Sequence, residues 1–303
     1  MNASPHLARL AIVLGSLLAA ADLLAQGQTP SPMVETTRRH ERLAQGSPVG
    51  ALDSILGPAD RFVRVFIPSG VSTKRETTLV IHFHGAGWIA EQAVAGLRGG
   101  AVSAVVNLGS GSGVYDRAFS APTVFGALVD SIARSVQRSR GVRLRTDAVV
   151  LTGFSAGHGA VRAILRDSAN FARVAAVLLL DGMHTSYVPE QKVMADGGTL
   201  DTTNLVAFAA FGRAAMSGRK RFLVTHSEIF PGTFASTTET ADWMLSRLGL
   251  SRTPVLKWAP RGMQQLSEVS SGRFTMLGFA GNSAPDHVDQ FHAMPELLAR
   301  LLR

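Results

Sequence analysis

The chain contains no cysteine among its 303 residues. This absence excludes disulfide bridges, thiol nucleophiles and thiolate metal ligands, so an exported form of the protein would be held together by its core alone. The sequence also lacks internal repeats and low-complexity tracts. With 46% hydrophobic residues, the chain is long enough to bury one large core, and α/β folds of this length commonly form one domain.

The excess of basic residues does not form a nucleic-acid binding pattern. The formal net charge is +8, but the arginines and lysines are dispersed along the chain. The densest group, Arg138, Arg140, Arg143 and Arg145, has no interleaved aromatic residues, whereas single-stranded nucleic-acid sites combine basic and aromatic side chains. We therefore predict a solvated basic face and no nucleic-acid partner.

Long apolar runs are missing beyond the first 25 residues. Arg9 precedes an apolar run over residues 10–21, which is too short to span a bilayer comfortably and is followed by small residues. This pattern predicts a secretory signal peptide that is cleaved near Ala21 or Ala25, with an uncleaved membrane anchor as the alternative. We therefore expect an exported protein, periplasmic or secreted, with no membrane span after removal of the signal.

Residues 26–52 are polar and contain several prolines, which predicts a linker before one domain over residues 53–303. Within that domain, short apolar segments such as Thr78–Phe83 and Val174–Leu180 alternate with segments of helical periodicity. This alternation predicts an α/β fold, with a mostly parallel central sheet and helices on both of its faces.

The segment AVVLTGFSAGHG, over residues 148–159, places Ser155 between an apolar strand and a helix. Gly153 and Gly157, two residues before and two after the serine, permit a sharp turn that exposes the serine hydroxyl above the edge of the sheet. The start of the helix directs free backbone amides at the same point. We therefore predict that Ser155 is a nucleophile and that the amide of Ala156 is one donor to an oxyanion.

Three features together resemble the α/β-hydrolase superfamily. They are the strand, turn and helix around Ser155, the segment HFHGAGW at His82–Trp88, and a histidine after the last apolar strand. The resemblance covers most of residues 53–303 and selects no single subfamily. It implies the α/β-hydrolase fold of an exported, esterase-like or lipase-like enzyme, with functional residues in the chain order serine, acid, histidine.

A serine hydroxyl needs a general base, and the base needs an acid that fixes its tautomer. We prefer His287 as the base, in a predicted loop after the last strand, over His292, which lies further along in a predicted helix. For the acid we prefer Asp181, because it follows the strand Val174–Leu180 and would lie at the same sheet edge as Ser155. Asp-Gly is also an ordinary turn pair.

Three other carboxylates stay open as the acid. Glu228 follows the next strand along the chain, which is the commoner location of the acid in the superfamily. Asp286 and Asp289 adjoin the predicted base in the sequence.

The second oxyanion donor is implied by the resemblance. The segment HGAG after the strand Thr78–Phe83 is similar to the HG-type oxyanion loop of lipases and esterases, so the amide of Gly85 or Ala86 is expected to donate. Around this loop, His84, Trp88 and Tyr115 are expected to line the pocket.

Two further patterns are candidate sites for ions. His82 and His84 alternate on a strand and would point the same way, but no motif supplies a third metal ligand. The glycine-rich segment 109–113 fits neither the dinucleotide fingerprint nor the P-loop with its lysine, and it predicts a pocket wall. His158 is expected to pack beside Ser155 or to line the pocket. We expect no cofactor and no metal.

The expected activity is hydrolysis of a carboxylic ester through an acyl-enzyme. Peptidase, depolymerase and acyltransferase activities use the same residues, so the substrate is predicted only as a small-molecule or polymer-end ester. The alternatives from other classes are a non-catalytic binding protein of the same fold and a metal-dependent hydrolase. The sequence between Phe208 and Phe274 contains no long insertion typical of a lid, which favours an open cleft. It does not specify the oligomeric state.

Overall fold

The computed structural model describes residues 42–303. The predicted signal peptide and most of the predicted linker lie outside the described residues. Within the described part of the chain, no helix combines the length and the apolar character needed to cross a membrane.

Strands alternate with helices along most of the described chain. The strands are β1 (Gly50–Leu56), β2 (Phe62–Pro68), β3 (Thr77–Phe83), β4 (Ala101–Val106), β5 (Leu144–Phe154), β6 (Val174–Leu180), β7 (Tyr187–Val188), β8 (Thr199–Leu200), β9 (Arg221–His226), β10 (Thr253–Trp258), β11 (Gln264–Ser271) and β12 (Phe274–Phe279). The helices are α1 (Gly87–Ala95), α2 (Ser112–Ala118), α3 (Pro122–Arg140), α4 (His158–Arg166), α5 (Ser168–Arg173), α6 (Val206–Met216), α7 (Thr237–Leu248), α8 (Ala284–His292) and α9 (Met294–Leu302).

The central sheet of the described residues has the strand order β1-β2-β4-β3-β5-β6-β9-β12-β11-β10. The six strands from β4 to β12 in this order pair in parallel, and the two strands at each end pair antiparallel. This is the mostly parallel sheet of the α/β-hydrolase fold, and it confirms the predicted fold class. The carboxyl ends of the parallel strands lie along one edge, where side chains from β3, β5 and β6 come together.

Both faces of the sheet are covered by helices, which is why its inner strands have continuous apolar sequences. On β3, Leu79 and Ile81 pack into a core cluster with α3, α4, α6 and α7, whereas Val80 packs into a second cluster with α1, α8 and α9. Alternate residues of a strand point to opposite faces, so one short segment contributes to both cores.

The structure differs from the sequence-based prediction at the two edges of the sheet. Strand β1 begins at Gly50, three residues before the predicted start of the domain, so the linker ends earlier than expected. Strands β10 and β11 occupy a region for which no strand is predicted. Both β1 and β10 are edge strands with largely exposed side chains, including Leu256 and Trp258 on β10, so neither shows the strong apolar pattern of a buried strand.

Candidate active site

Ser155 lies in a tight turn between β5 and α4, as the glycine spacing predicts. Strand β5 ends at Phe154, and residues Ser155–Gly157 form one turn of 3-10 helix before α4 begins. The turn brings backbones into close contact, because a Cβ atom on Gly157 would lie 2.1 Å from the carbonyl oxygen of Phe83. Only glycine fits at this position.

Three of the predicted site residues have left-handed backbone conformations that are unfavourable for residues with a Cβ atom. The φ angles are 47° for Ser155, 44° for Asp181 and 72° for His84. Non-glycine residues in this region of φ cost on the order of 1–3 kcal/mol each, and they concentrate at functional sites. This strain marks the same sheet edge that the sequence patterns indicate.

Asp181 follows the last residue of β6 and lies next to the Ser155 turn. A Cβ atom on the following residue, Gly182, would lie 3.0 Å from both the backbone nitrogen and the carbonyl oxygen of Ser155. The two chain segments therefore touch backbone to backbone. A side chain at position 182 would press on this contact, so glycine is favoured there in addition to its role as a turn residue.

The carboxylate of Asp181 is buried, and four donors surround it. His287 Nδ1 lies 2.7 Å from Oδ2, and the hydroxyl of Ser227 donates to the same oxygen at 2.7 Å. The amide of Ser227 and the hydroxyl of Thr237 donate to Oδ1 at 2.9 and 2.6 Å. Burial acts to raise the pKa of Asp181, but the hydrogen bond and charge of His287, with the hydrogen bond from Thr237, hold it below its usual value. Asp181 is therefore ionised at neutral pH.

His287 lies on the second turn of α8, and its prediction as a loop residue is wrong. The helix begins with a capping box formed by Ser283 and Asp286. The backbone amide and the hydroxyl of Ser283 both donate to the carboxylate of Asp286. The imidazole ring packs on Phe154, the residue before Ser155, with ring centroids 4.5 Å apart. The helix thus holds His287 over the Ser155 turn while its Nδ1 faces Asp181.

The other carboxylates and the second histidine considered for this role have different neighbours. Glu228 is exposed at the end of β9. Asp286 caps α8, and Asp289 forms an ion pair with Arg42 at 3.1 Å. His292, at the end of α8, packs against Trp88 with ring centroids 5.5 Å apart, as expected for a packing residue.

The loop after β3 carries the two backbone amides that are predicted as alternative oxyanion donors, and their hydrogen bonding differs. The amide of Gly85 donates to Oδ1 of Asn107 at 3.0 Å, and the side-chain nitrogen of Asn107 donates back to the carbonyl of Gly85 at 2.9 Å. The amide of Ala86 has no acceptor among the described residues. The amide of Ala156 lies in the first turn after β5, where helical amides have no intrahelical acceptor.

A cavity of about 590 Å³ opens beside Ser155. The residues that line it come from the glycine-rich segment, the Ser155 turn, α4 and the chain after β6; they are Gly111, Ser112, Gly113, Ser155, Ala156, His158, Arg162, His184, Thr185, Ser186, Asn204 and Phe234. The glycine-rich segment and His158 therefore line the pocket as predicted. Arg162, His184, Ser186 and Asn204 were not predicted from the sequence.

The three residues predicted to line the pocket are not among the lining residues of this cavity. Tyr115 is fully buried in the core, where its hydroxyl bonds the amide of Leu108 and the ring of His84. His84 stacks on Phe154. Trp88 is half-buried on the opposite side of the sheet, in the cluster with α9.

His82 and His84, which were considered as metal ligands, bind different partners. The Nδ1 atom of His82 lies 2.8 Å from the hydroxyl of Thr152, and its ring stacks on Phe291. The Nδ1 atom of His84 lies 3.0 Å from the hydroxyl of Tyr115. No group of three or more ligand-type side chains that would hold a metal occurs among residues 42–303.

His226, the residue before Ser227 at the end of β9, is buried and neutral. Burial lowers its pKa to about 4, and the charge of Arg252 adds to this effect while Asp181 opposes it. In the unfolded chain a histidine binds a proton below about pH 6.5, so stability that is present above that pH is lost as the pH falls towards 4. We predict that, because of His226, the free energy of unfolding is roughly 2 kcal/mol lower at pH 5 than at pH 7.

Urea unfolding of wild type and His226→Gln at both pH values measures this contribution. We expect a smaller acid-induced loss of stability in the variant, by roughly 2 kcal/mol. Equal losses in the two proteins would show that His226 does not become protonated on unfolding.

The strand order, the tight turn at Ser155, and an acid and a histidine that follow it in the chain define an α/β-hydrolase-fold protein. Neither a protein-family model nor a curated protein sequence matches the chain. Among solved structures it is similar to a mutant feruloyl esterase module from Clostridium thermocellum complexed with sinapinate, with a TM-score of 0.49, 12% identity, and coverage of 88% of this chain and 92% of that one.

Two further solved structures show the same level of similarity. For an esterase from Pyrobaculum calidifontis the TM-score is 0.46 and the identity 12%, over 84% of this chain and 85% of that one. For an enterobactin esterase from Shigella flexneri the TM-score is 0.48 and the identity 13%, over 90% of this chain and 63% of that one.

Proposed function

We propose that the protein is an exported serine hydrolase that cleaves carboxylic esters through an acyl-enzyme intermediate. The observation that carries the proposal is the hydrogen bond between His287 Nδ1 and the buried Asp181 carboxylate, at 2.7 Å, beside the strained Ser155 turn. A buried carboxylate that orients a histidine close to a half-buried serine that lines a cavity is the arrangement that nucleophilic catalysis by serine requires.

The proton positions follow from the contacts of Asp181. An ionised carboxylate only accepts hydrogen bonds, so His287 donates from Nδ1, and in its neutral form its Nε2 is then an acceptor. In the proposed first step, the Ser155 oxygen forms a bond to the ester carbonyl carbon while His287 Nε2 accepts the serine proton. The bond from carbon to the alkoxy oxygen then breaks, and the alcohol leaves with that proton.

Deacylation repeats these steps with water as the nucleophile. His287 accepts a proton from water, whose oxygen attacks the acyl-enzyme, and it returns the proton to Ser155 as the carboxylic acid is released. The negative oxygen formed in each step would accept hydrogen bonds from the amides of Ala156 and Ala86. We propose Ala86 over Gly85 because the Gly85 amide already donates to Asn107.

Labelling with a fluorophosphonate tests the proposal, because this reagent reacts with serines that a neighbouring base activates. We expect one adduct by intact mass on the protein without residues 1–25, and none on Ser155→Ala or on denatured protein. Labelling of His287→Ala is expected to be slower by at least about 100-fold, since general-base assistance typically contributes 10²- to 10⁴-fold.

His292→Ala is the matched control, because His292 lies on the same helix and packs against Trp88. Its labelling rate should equal that of wild type. A normal rate in His287→Ala together with a slow rate in His292→Ala would assign the base to His292. Absence of an adduct on folded wild type would favour a non-catalytic binding protein.

A further inference from the structure

A row of three basic side chains follows Ser155 along one face of α4. His158, Arg162 and Arg166 are spaced by four residues, so they form a single stripe on the helix. His158 and Arg162 line the cavity beside Ser155, whereas Arg166, one turn further on, is not part of the lining. The stripe therefore continues from the reacting serine into the cavity and out to the surface.

Arg162 carries the only permanent charge in the described lining of the cavity. The lining contains no aspartate or glutamate, and its other polar side chains are serines, a threonine, an asparagine and two histidines. Burial is the main reason that the pKa values of His158 and His184 lie below the usual value, so both rings are neutral at pH 7. Arg162 is therefore the one charged side chain that a molecule in the cavity would meet in this lining at pH 7.

The guanidinium of Arg162 is buried and only partly neutralised. Its side chain is 9% exposed, and its Nε donates to Asp116 Oδ2 at 2.7 Å. The same carboxylate also accepts two hydrogen bonds from Arg166, at 3.0 and 3.1 Å. One carboxylate thus serves two guanidinium groups, which leaves this group of three side chains with a net charge of +1.

The terminal nitrogens of Arg162 have no acceptor among the described residues. The one hydrogen bond that this side chain makes with those residues runs from Nε to Asp116. The terminal nitrogens are not among the buried side-chain atoms without a partner, so they open into the cavity, where a ligand can satisfy these donors and balance the charge. Within the cavity, a carboxylate on a bound molecule would do both, because the planar fork of arginine matches a carboxylate in geometry.

We propose that Arg162 makes the cavity selective for esters that carry a carboxylate group in addition to the ester. Arg162 follows Ser155 by one turn of 3-10 helix and about one turn of α4, so their Cα atoms are about 12 Å apart along the chain direction, and the arginine side chain tilts back towards Ser155. A spacer of about two to four methylene groups between ester and carboxylate matches this separation. The proposal rests on ester hydrolysis at Ser155.

Two pairs of alkyl esters test this selectivity. Monoethyl glutarate is compared with ethyl glutaramate, which places the carboxylate or its neutral amide on the acyl side. The acetate esters of 4-hydroxybutyrate and 4-hydroxybutyramide place the same groups on the alcohol side. We expect wild type to prefer the charged member of at least one pair by about 10- to 100-fold in kcat/KM, as charged hydrogen bonds imply. Equal kcat/KM within both pairs would overturn the proposal.

Variants of Arg162 and Arg166 distinguish recognition of the substrate carboxylate from a structural role of these arginines. Arg162→Gln should abolish the preference, measured as the ratio of kcat/KM between the charged and the neutral member of a pair, whereas Arg162→Lys should keep part of it because it retains the charge. Arg166→Gln is the matched control, since it removes a guanidinium from the same Asp116 outside the cavity lining, and it should retain the wild-type preference. An Arg166→Gln variant that lost the preference equally would show that the net charge of the group, rather than Arg162, is responsible.

Inhibition gives a second readout that does not depend on turnover of the charged ester. Glutarate should inhibit hydrolysis of the neutral ester competitively in wild type and at least about tenfold more weakly in Arg162→Gln. If the neutral esters are hydrolysed at Ser155 but no preference or inhibition appears, only the selectivity for carboxylates is wrong. If no ester is hydrolysed and no fluorophosphonate adduct forms, the proposed function itself fails.

Discussion

Replacing Ser155 with alanine is expected to lower kcat for ester hydrolysis by about 10⁵- to 10⁶-fold, because the acyl-enzyme can no longer form. Ser155 and alanine share a Cβ atom, so the left-handed backbone at this position is no more strained in the variant than in wild type. The turn and the adjacent glycine contacts are therefore retained. Steady-state kinetics on a short-chain p-nitrophenyl ester, with thermal unfolding of both proteins, measures the effect.

Ser186→Ala is the control for the loss of a cavity hydroxyl. Ser186 also lines the cavity beside Ser155, and the hydrogen bond it makes with Asp201 uses its backbone carbonyl. Its kcat should stay within a few-fold of wild type. If Ser155→Ala retained activity within about tenfold, the nucleophile would lie elsewhere, and loss of that activity on addition of a chelator would favour the metal-dependent alternative.

Replacing Asp181 with asparagine is expected to lower kcat by about 10⁴-fold while leaving the serine and histidine in place. Asp181 accepts from His287 and Ser227 on one oxygen and from Ser227 and Thr237 on the other. An asparagine presents one acceptor and one donor, so it cannot accept on both sides. The amide group would favour the histidine tautomer that carries its proton on Nε2, which cannot act as a base towards Ser155.

Glu228→Gln tests the alternative acid in the same assay. Glu228 is exposed at the end of β9, and its backbone amide bonds the carbonyl of Gly281. We expect kcat within about twofold of wild type. A large loss in Glu228→Gln with near-normal activity in Asp181→Asn would move the acid to Glu228 and contradict the proposed role of Asp181.

The parts of the site that the sequence predicts well are those set by local backbone constraints. Gly153 and Gly157 around Ser155 indicate the tight turn, and the structure shows the backbone contact that demands glycine at Gly157. Val174–Leu180 matches β6 residue for residue because a strand buried on both faces has a continuous apolar sequence. That strand also fixes where the side chain of Asp181 emerges.

Apart from the glycine-rich segment and His158, the cavity walls could not be predicted in this way. His184 and Asn204 belong to the segment between β6 and α6, which is mostly irregular and has no apolar periodicity. Arg162 carried a usable signal, since it follows His158 by one helical turn, but the sequence does not show that Asp116 serves two arginines. The helix that holds His287 was also detectable, because Ser283, Pro285 and Asp286 form a typical helix start.

The backbone contact between Gly182 and Ser155 also determines which parts of the site move together. Strands β5 and β6 pair up to their last residues, Phe154 and Leu180, so Ser155 and Asp181 are carried at the ends of two strands that cannot slide past each other. His287 is instead carried on a separate helix that packs over this edge. The position of His287 relative to Ser155 and Asp181 therefore depends on how α8 packs over the sheet edge, through the contacts of His287 with Phe154 and Asp181.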